Sequence, residues 1–170
     1  MRVIYAGSFS PPTLGHLDII RRAAAMFDEV VVAVLSQSEK TYLFSLEKRR
    51  EMLARVTDDL ANVRVVADTG MLVELARREG ADVILRGIRD ASDLPLEMQM
   101  ATANRAIGGL DTVFLVCSPV YSLLSSSIVR DCARHGAPIE SMVPEPVSYT
   151  HLDVYKRQIP PSRFFLSKYL

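Results

Sequence analysis

The apolar run VVVAVL at residues 30–35 constrains the fold of this chain more than any other segment. It has no polar residue at alternate positions, and four of its six residues are β-branched valines. Such a run is typical of a strand that helices cover on both faces, as in a parallel sheet. Shorter apolar runs predict four more strands, at residues 3–6, 63–67, 83–85 and 112–116.

Helical patterns and capping signals separate these predicted strands. They mark five segments, at residues 13–27, 45–58, 72–79, 91–107 and 125–134. Strands that alternate with helices predict an α/β fold with a doubly wound, five-stranded parallel sheet. Because 170 residues suit one domain, we predict a single domain over residues 1–146.

Polar segments follow four of the five predicted strands, at the point where each strand ends. They cover residues 7–16, 36–41, 86–89 and 118–127. Parallel sheets bind ligands at the carboxyl ends of their strands, near the switch in strand order. The four segments therefore predict one ligand site at that edge of the sheet.

The segment GSFSPPTLGH at residues 7–16 indicates the chemistry of this site. A tight loop between a strand and a helix gathers backbone N–H groups and a helix N-terminus, which favours anions. Gly15 allows a ligand to approach the backbone, and His16 can donate a hydrogen bond to a phosphate oxygen. The loop contains neither a G-x-G-x-x-G fingerprint nor a P-loop pattern. The alternative is that His16 only caps its helix.

The composition restricts the partners that such a protein attracts. Its 20 basic and 20 acidic residues cancel, so no overall field draws it to nucleic acid or to an anionic membrane. No apolar run reaches the ~18 residues of a membrane span, and the N-terminus lacks a signal-peptide pattern. Cys117 and Cys132 lack metal or redox spacing, which predicts reduced thiols. We expect a cytoplasmic protein.

Residues 147–170 differ from the rest of the chain. From residue 148 onward they carry four basic side chains against one acidic, and Pro160 with Pro161 breaks any regular pattern. The stretch at residues 147–158 also resembles a translated linker found at the ends of environmental gene fragments. We predict an atypical tail that is not native to the fold, and the alternative is a basic tail that binds a partner.

Two segments resemble the signatures of the nucleotidylyltransferase superfamily. Residues 13–16, TLGH, are similar to its T-x-G-H motif, and residues 124–130, LSSSIVR, are similar to I-S-S-T-x-x-R. The middle of the chain resembles the phosphopantetheine adenylyltransferases in RGIR at residues 86–89, Asp93 and EMQMA at residues 97–101. The resemblance runs to about residue 146 and implies a Rossmann-like nucleotidylyltransferase fold.

The resemblance implies an enzyme that transfers the adenylyl group of ATP to 4′-phosphopantetheine. The products are then dephospho-coenzyme A and pyrophosphate, in the penultimate step of coenzyme A biosynthesis. A phosphate oxygen attacks in line, so no covalent enzyme intermediate is expected. Mg²⁺ is expected on the ATP phosphates, without ligands from protein side chains. The family also implies a homo-hexamer, with coenzyme A as a feedback ligand.

The resemblance also assigns roles to individual residues. His16 would stabilise the transition state, and Lys40 and Arg89 are further catalytic candidates. The residues implied for the acceptor are Ser8, Lys40, Leu72 and Arg86. The residues implied for ATP are Ser8, Phe9, His16, Gly87, Ile88, Arg89, Glu97, Tyr121, Ser122, Leu123, Leu124, Ser125, Ser126 and Ser127.

Simpler explanations exist for several of these residues. Lys40 could be a solvated charge, Leu72 a core residue, and Glu97 a partner of Arg105 or another surface cation. The chain departs from the family pattern at Ser10, Pro95 and Leu96, which affects the acceptor side most. Two competing functions are a transferase with another phosphate acceptor and a nucleotide-binding protein with little turnover.

Overall fold

The computed structural model describes residues 1–37, 40–145 and 147. Apart from residue 147, the predicted tail lies outside the described residues. The strands are β1 (Arg2–Gly7), β2 (Glu29–Leu35), β3 (Val63–Asp68), β4 (Val83–Ile88) and β5 (Thr112–Val116). The helices are α1 (Leu14–Met26), α2 (Leu46–Val56), α3 (Leu72–Arg78), α4 (Leu94–Gly108) and α5 (Ser126–Arg134), with a 3₁₀ turn at Pro119–Tyr121. Within this part of the chain, no helix combines the length and apolar character needed to cross a membrane.

All five strands form one parallel sheet in the order β3-β2-β1-β4-β5. The strand predicted from VVVAVL is β2, which lies between β1 and β3. Its residues Val30 to Val34 are fully buried. The predicted fold class, an α/β domain with a doubly wound five-stranded parallel sheet, is confirmed.

Two apolar layers hold the helices against the sheet. On one face, Val32 belongs to a core that includes Leu53 of α2 and Val129 of α5. On the other face, Val31 packs in a second core with Val73 of α3. Because successive side chains of a strand point to opposite faces, an all-apolar strand requires both layers.

The strand order reverses between β1 and β4, which are neighbours in the sheet. From β1 the chain runs outward through β2 and β3, then crosses to β4 on the other side of β1. This reversal leaves a crevice at the carboxyl ends of β1 and β4, where ligands of such sheets bind. Gly7 ends β1 and Ile88 ends β4 at this crevice.

Two element boundaries differ from the sequence prediction by three residues, and the others differ by two or fewer. The fourth strand was predicted to end at residue 85, but Arg86, Gly87 and Ile88 continue it because they pair with β5. The helix predicted from residue 91 begins at Leu94 instead. Its second residue is Pro95, and proline is tolerated in the first turn of a helix but not in its interior.

Candidate active site

The loop after β1 turns inward at Phe9. This residue has a φ of 45°, in the left-handed region that residues other than glycine rarely adopt. Its ring is 1% exposed, and its centroid lies 5.6 Å from that of Tyr5 and 5.0 Å from that of His16. Such a conformation persists only where the surrounding packing fixes it. The Phe9 side chain, predicted to contact ATP, therefore lies in the core and supports the His16 ring.

His16 forms a capping box with Thr13 at the start of α1. The backbone N–H of Thr13 donates to Nδ1 of His16 at 3.0 Å, and the His16 N–H donates to Thr13 Oγ1 at 3.3 Å. The capping role considered from the sequence is thus present in the structure. It also selects the tautomer, because a neutral ring whose Nδ1 accepts a hydrogen bond carries its proton on Nε2.

The surroundings of His16 keep its imidazole neutral. Burial, and then the positive charges of Arg89 and Arg86, lower the pKa of His16 to about 4. At neutral pH the ring is therefore uncharged, and Nε2–H is its hydrogen-bond donor. Such a donor stabilises an oxyanion without transferring a proton.

A cavity of about 170 Å³ lies beside His16, and we call it the His16 cavity. The residues predicted from the resemblance that line it are His16, Arg86, Gly87, Arg89, Tyr121 and Leu124. They come from α1, from β4 and its end, and from the segment before α5. A Cβ atom at Gly87 would lie 3.2 Å from Cγ1 of Ile19, so the packing of α1 on β4 also favours glycine there.

A larger cavity, of about 440 Å³, contains Lys40, and we call it the Lys40 cavity. The residues implied for the acceptor all line it, namely Ser8, Lys40, Leu72 and Arg86. Helix α4 adds Met100 and Asn104, to which the sequence analysis gave no role. Because Gly7 and Arg86 line both cavities, the ends of β1 and β4 form a wall that the two cavities share.

Arg86 is held in this wall by a carboxylate from α4. Its Nε and Nη2 donate to the two carboxylate oxygens of Glu97, each at 2.6 Å, and its Nη1 donates to the carbonyl of Ala6 at 2.9 Å. This pairing differs from the surface pair suggested for Glu97, because Arg105 contacts Asp111 at 3.1 Å instead. Glu97, predicted to contact ATP, thus orients a cation of the shared wall.

Arg89 has a similar partner at the start of α4. Its Nη2 lies 2.7 Å and its Nε 3.1 Å from the carboxylate of Asp93, which also accepts from the Arg89 backbone N–H at 2.9 Å. This pairing raises the pKa of Arg89 and lowers that of Asp93. A bidentate pair fixes the plane of the guanidinium at the edge of the His16 cavity.

A third, polar cavity of about 470 Å³ contains the serines of α5, and we call it the serine cavity. Its lining includes Ser10, Lys40, Tyr42, Ser126, Ser127 and Arg130. Ser126 donates to the carbonyl of Pro11 at 2.8 Å, and Ser125 accepts from the Ile128 N–H at 3.2 Å as the helix cap. Three serines in a row thus combine one helix cap with two residues that line a cavity.

Arg130 is a site residue to which the sequence analysis assigned no role, although it ends the LSSSIVR motif. Its guanidinium donates to the Ser10 carbonyl at 2.6 Å and to Ser127 Oγ at 3.0 Å. The hydroxyl of Ser10, which is 3% exposed, accepts from the Leu43 N–H at 3.4 Å. Ser10, where the family pattern has aspartate, therefore connects α5 to the segment that follows Lys40.

Like Phe9, Glu97 and Ser125, three further predicted ATP contacts are not among the residues that line the three cavities. Ile88 is buried, 4% exposed, within β4. Ser122 donates to the carbonyl of Pro119 at 2.9 Å, and Leu123 is 84% exposed. The side chains of Ser122 and Leu123 belong to the turn that carries Tyr121 and Leu124 to the His16 cavity.

Arg49 of α2 is a buried cation that the sequence analysis missed. It is 0% exposed, and its guanidinium donates to the carbonyls of Ser8, Leu35 and Phe44. The signal was its position, since residues 46, 49, 53 and 56 fall on one face of a helix and the other three are apolar. An arginine on the inner face of a helix requires a buried set of acceptors.

Comparison with known proteins identifies the family of this chain. A sequence model of the cytidylyltransferase-like family matches residues 4–132. A phosphopantetheine adenylyltransferase from Synechococcus sp. (strain RCC307) is 47% identical over 149 residues, which are 87% of this chain and 90% of that protein. A phosphopantetheine adenylyltransferase from Symbiobacterium thermophilum is 49% identical over 145 residues, 85% of this chain and 90% of that protein.

Solved structures with lower identity share the fold. A candidate nicotinate-nucleotide adenylyltransferase from Vibrio parahaemolyticus has a TM-score of 0.61 at 17% identity, over 86% of this chain and 95% of that chain. A lipopolysaccharide core biosynthesis protein from Thermoplasma volcanium has a TM-score of 0.52 at 22% identity, over 69% of this chain and 96% of that chain. By its sequence relatives and its fold, the chain belongs to the cytidylyltransferase-like family and, within it, to the phosphopantetheine adenylyltransferases.

Proposed function

We propose that this protein transfers the adenylyl group of ATP to 4′-phosphopantetheine, which yields dephospho-coenzyme A and pyrophosphate. The observation that carries the proposal is the wall that the His16 and Lys40 cavities share. Two substrates that must meet at one phosphorus atom require two adjoining cavities of this kind. Relatives named phosphopantetheine adenylyltransferase, at 44–49% identity, support the identity of the acceptor.

ATP occupies the His16 cavity in this proposal, and the acceptor occupies the Lys40 cavity. The smaller cavity suits a nucleoside, and the neutral His16 lies where the α-phosphate would be. The Lys40 cavity, which is lined by apolar residues such as Leu72 and Met100, suits the pantetheine arm. The serine cavity, with hydroxyls and the cation of Arg130, suits the terminal phosphates of ATP.

The reaction proceeds by direct displacement at the α-phosphorus. An oxygen of the acceptor phosphate forms the new P–O bond, and the bond between the α- and β-phosphates breaks to release pyrophosphate. No side-chain nucleophile is needed, so the protein contributes positioning and charge stabilisation. The Nε2–H of His16 donates to an oxygen of the α-phosphate, where negative charge builds up in the transition state. Lys40 and Arg89 hold the acceptor phosphate and the nucleotide beside it.

Bound to the phosphates of ATP, Mg²⁺ would supply positive charge to the leaving pyrophosphate. The carboxylates near the cavities support this route, because arginines already engage them. Asp68, Asp93 and Glu97 each contact a lining residue, and each pairs with an arginine. In the described part of the chain, no cluster of three histidines, cysteines or carboxylates has the geometry of a metal site.

We also propose that the protein assembles as a homo-hexamer in the cytoplasm and binds coenzyme A as a feedback ligand. Large apolar side chains on α4 and on the edge strand β5 support self-association. Leu96 is 62% exposed, Met98 58% and Val116 61%. Burial of such a patch between subunits is favourable. Native mass spectrometry measures the assembly, and a monomer at micromolar concentration would contradict it.

The test of the proposed function is release of pyrophosphate from ATP and Mg²⁺ in the presence of 4′-phosphopantetheine. We expect turnover with this acceptor and none above background with nicotinamide mononucleotide or phosphocholine as alternative phosphate acceptors. Turnover with another acceptor alone would support a different transferase. Binding of ATP without turnover by any acceptor, restored when residues after 146 are deleted, would support a nucleotide-binding protein that the tail inhibits.

A further inference from the structure

Arg49 lies behind the wall of the Lys40 cavity and is one of the largest fully buried side chains in the described residues. It occupies the first turns of α2, on the face that also buries Met52 and Leu53. A fully buried arginine is uncommon unless a partner compensates its charge. The acceptors around this guanidinium therefore bear on the function of its charge.

Among the described residues, every hydrogen-bond acceptor of Arg49 is neutral. Its Nη1 donates to the carbonyl of Ser8 at 2.5 Å and to that of Leu35 at 3.0 Å. Its Nε donates to the carbonyl of Phe44 at 3.2 Å, and its Nη2 donates to the hydroxyl of Ser36. The guanidinium carbon also lies 4.1 Å from the centre of the Tyr42 ring.

No carboxylate lies within ion-pair distance of Arg49 in the part of the chain that the structure describes. Other arginines near the site, such as Arg86 and Arg89, each have one. Burial lowers the pKa of Arg49, but arginine remains protonated at neutral pH. Arg49 thus carries a permanent positive charge that no carboxylate of the described residues compensates.

The groups that Arg49 binds belong to the walls of the Lys40 cavity. Ser8, Leu35, Ser36 and Tyr42 all line it, and Phe44 comes two residues after Tyr42. Arg49 therefore fastens three pieces of wall together: the loop after β1, the end of β2, and the segment between Lys40 and α2. Lys40 lies between two of these attachments along the chain.

We propose that Arg49 is a positioning residue for the acceptor phosphate, which it serves by fixing the wall around Lys40 and by adding a buried positive charge behind it. This inference rests on the proposed placement of the acceptor in the Lys40 cavity. A cation without a carboxylate partner favours the arrival of a dianionic phosphate, because the phosphate supplies the counter-charge that the described residues around Arg49 lack. A residue that served only the stability of the fold, and neither the position of Lys40 nor the charge near the phosphate, would affect binding of the phosphorylated and unphosphorylated acceptor equally.

The test compares equilibrium binding of 4′-phosphopantetheine with binding of pantetheine, which lacks the phosphate. The variants are Arg49→Met and Arg49→Gln, which remove the charge, and Arg49→Lys, which keeps it. The matched control is Arg50→Met, on the same helix, where the arginine pairs with Glu47 at the surface. We expect the neutral variants to weaken binding of 4′-phosphopantetheine roughly tenfold or more and binding of pantetheine less than twofold.

The lysine variant separates charge from shape. It keeps the positive charge but cannot reach all four acceptors, so we expect roughly a threefold loss for 4′-phosphopantetheine and none for pantetheine. Steady-state kinetics of the same variant should show a higher KM for the acceptor and a nearly unchanged kcat. If both neutral variants fail to fold, the lysine variant carries the test alone. Equal effects on the two ligands, or no effect on either, overturn the proposal.

A Lys40→Met variant separates this inference from the proposed function. If that variant binds 4′-phosphopantetheine normally, the acceptor phosphate lies elsewhere and the proposed site is wrong. If it binds weakly while the Arg49 variants retain normal selectivity for the phosphate, the site is right and only the role of Arg49 is refuted.

Discussion

The two roles of His16, helix cap and hydrogen-bond donor, can be separated by substitution. Gln is a natural partner in a capping box, and its amide can accept from the Thr13 N–H while its NH₂ group donates near the position of Nε2. Glu can complete the capping box but has no donor when ionised. Ala can do neither. In the series His16→Gln, His16→Glu and His16→Ala, the first variant keeps both functions, the second loses the donor, and the third loses both.

The structure sets the expected size of each effect. His16 offers one donor, Nε2–H, because Nδ1 is engaged by Thr13. Removal of one donor to a developing oxyanion costs about 10²–10³-fold in kcat, or about 2.7–4 kcal/mol. We expect kcat to fall by an amount in this range for His16→Ala and by about tenfold for His16→Gln. For His16→Glu we expect a larger fall in kcat, because the charge of the carboxylate repels the α-phosphate. Loss of the cap lowers stability by about 1 kcal/mol but does not lower kcat in a folded enzyme.

The assay is pyrophosphate release at saturating ATP, Mg²⁺ and 4′-phosphopantetheine, with unfolding in urea measured in parallel. Stability should follow the cap, so His16→Gln and His16→Glu should unfold at higher urea concentrations than His16→Ala. Turnover should follow the donor instead. The reasoning is refuted if the Glu variant is as active as the Gln variant, or if the Ala variant retains normal turnover.

Three further predictions concern titration, the shared wall and backbone strain. In the folded protein His16 should titrate near pH 4 by NMR. Because the unfolded state takes up this proton near pH 6.5, the free energy of unfolding should fall as the pH drops from 6.5 towards 4. The His16→Gln variant should lose this pH dependence. The Glu97→Gln variant should have a kcat/KM about tenfold lower, mostly through a higher KM for the acceptor, because Arg86 loses its charged partner. An unchanged KM would contradict the role of Glu97 in orienting Arg86. Gly80→Ala and Gly109→Ala place alanine at φ values of 64° and 69°, in the left-handed region. Each substitution should lower the free energy of unfolding, measured in urea, by about 1–2 kcal/mol. Wild-type stability in both variants would show that alanine is not strained there.

The sequence was sufficient to predict the sheet, because the all-apolar β2 required two covering layers. The polar segments after the strands predicted a ligand site at their carboxyl ends, where the His16 and Lys40 cavities lie, and binding there stays a prediction. The family resemblance assigned Ser8, Lys40, Leu72 and Arg86 to one substrate, and these four residues line one cavity. Their contact with the acceptor stays a prediction.

Contacts between residues of different helices and strands could not be predicted from the sequence. Arg86 and Glu97 are eleven residues apart, and their contact depends on how α4 packs against the end of β4. The continuation of β4 past Leu85 likewise depends on β5, since a polar residue such as Arg86 gives no local signal for a strand. Arg49 shows the same limit, because its helical face was predictable but its acceptors on other segments were not.

The cations around the site fall into a paired group and an unpaired group. Arg86, in the wall that the His16 and Lys40 cavities share, and Arg89, at the edge of the His16 cavity, are each neutralised by a carboxylate. Lys40, Arg49 and Arg130 have no carboxylate partner among the described residues. In the proposed reaction Lys40 and Arg49 lie by the acceptor phosphate, and Arg130 lies by the terminal phosphates of ATP. The unpaired cations therefore lie where phosphates bind. Burial, and then the two paired arginines, lower the pKa of His16, so its ring stays neutral and adds no further positive charge beside these phosphates.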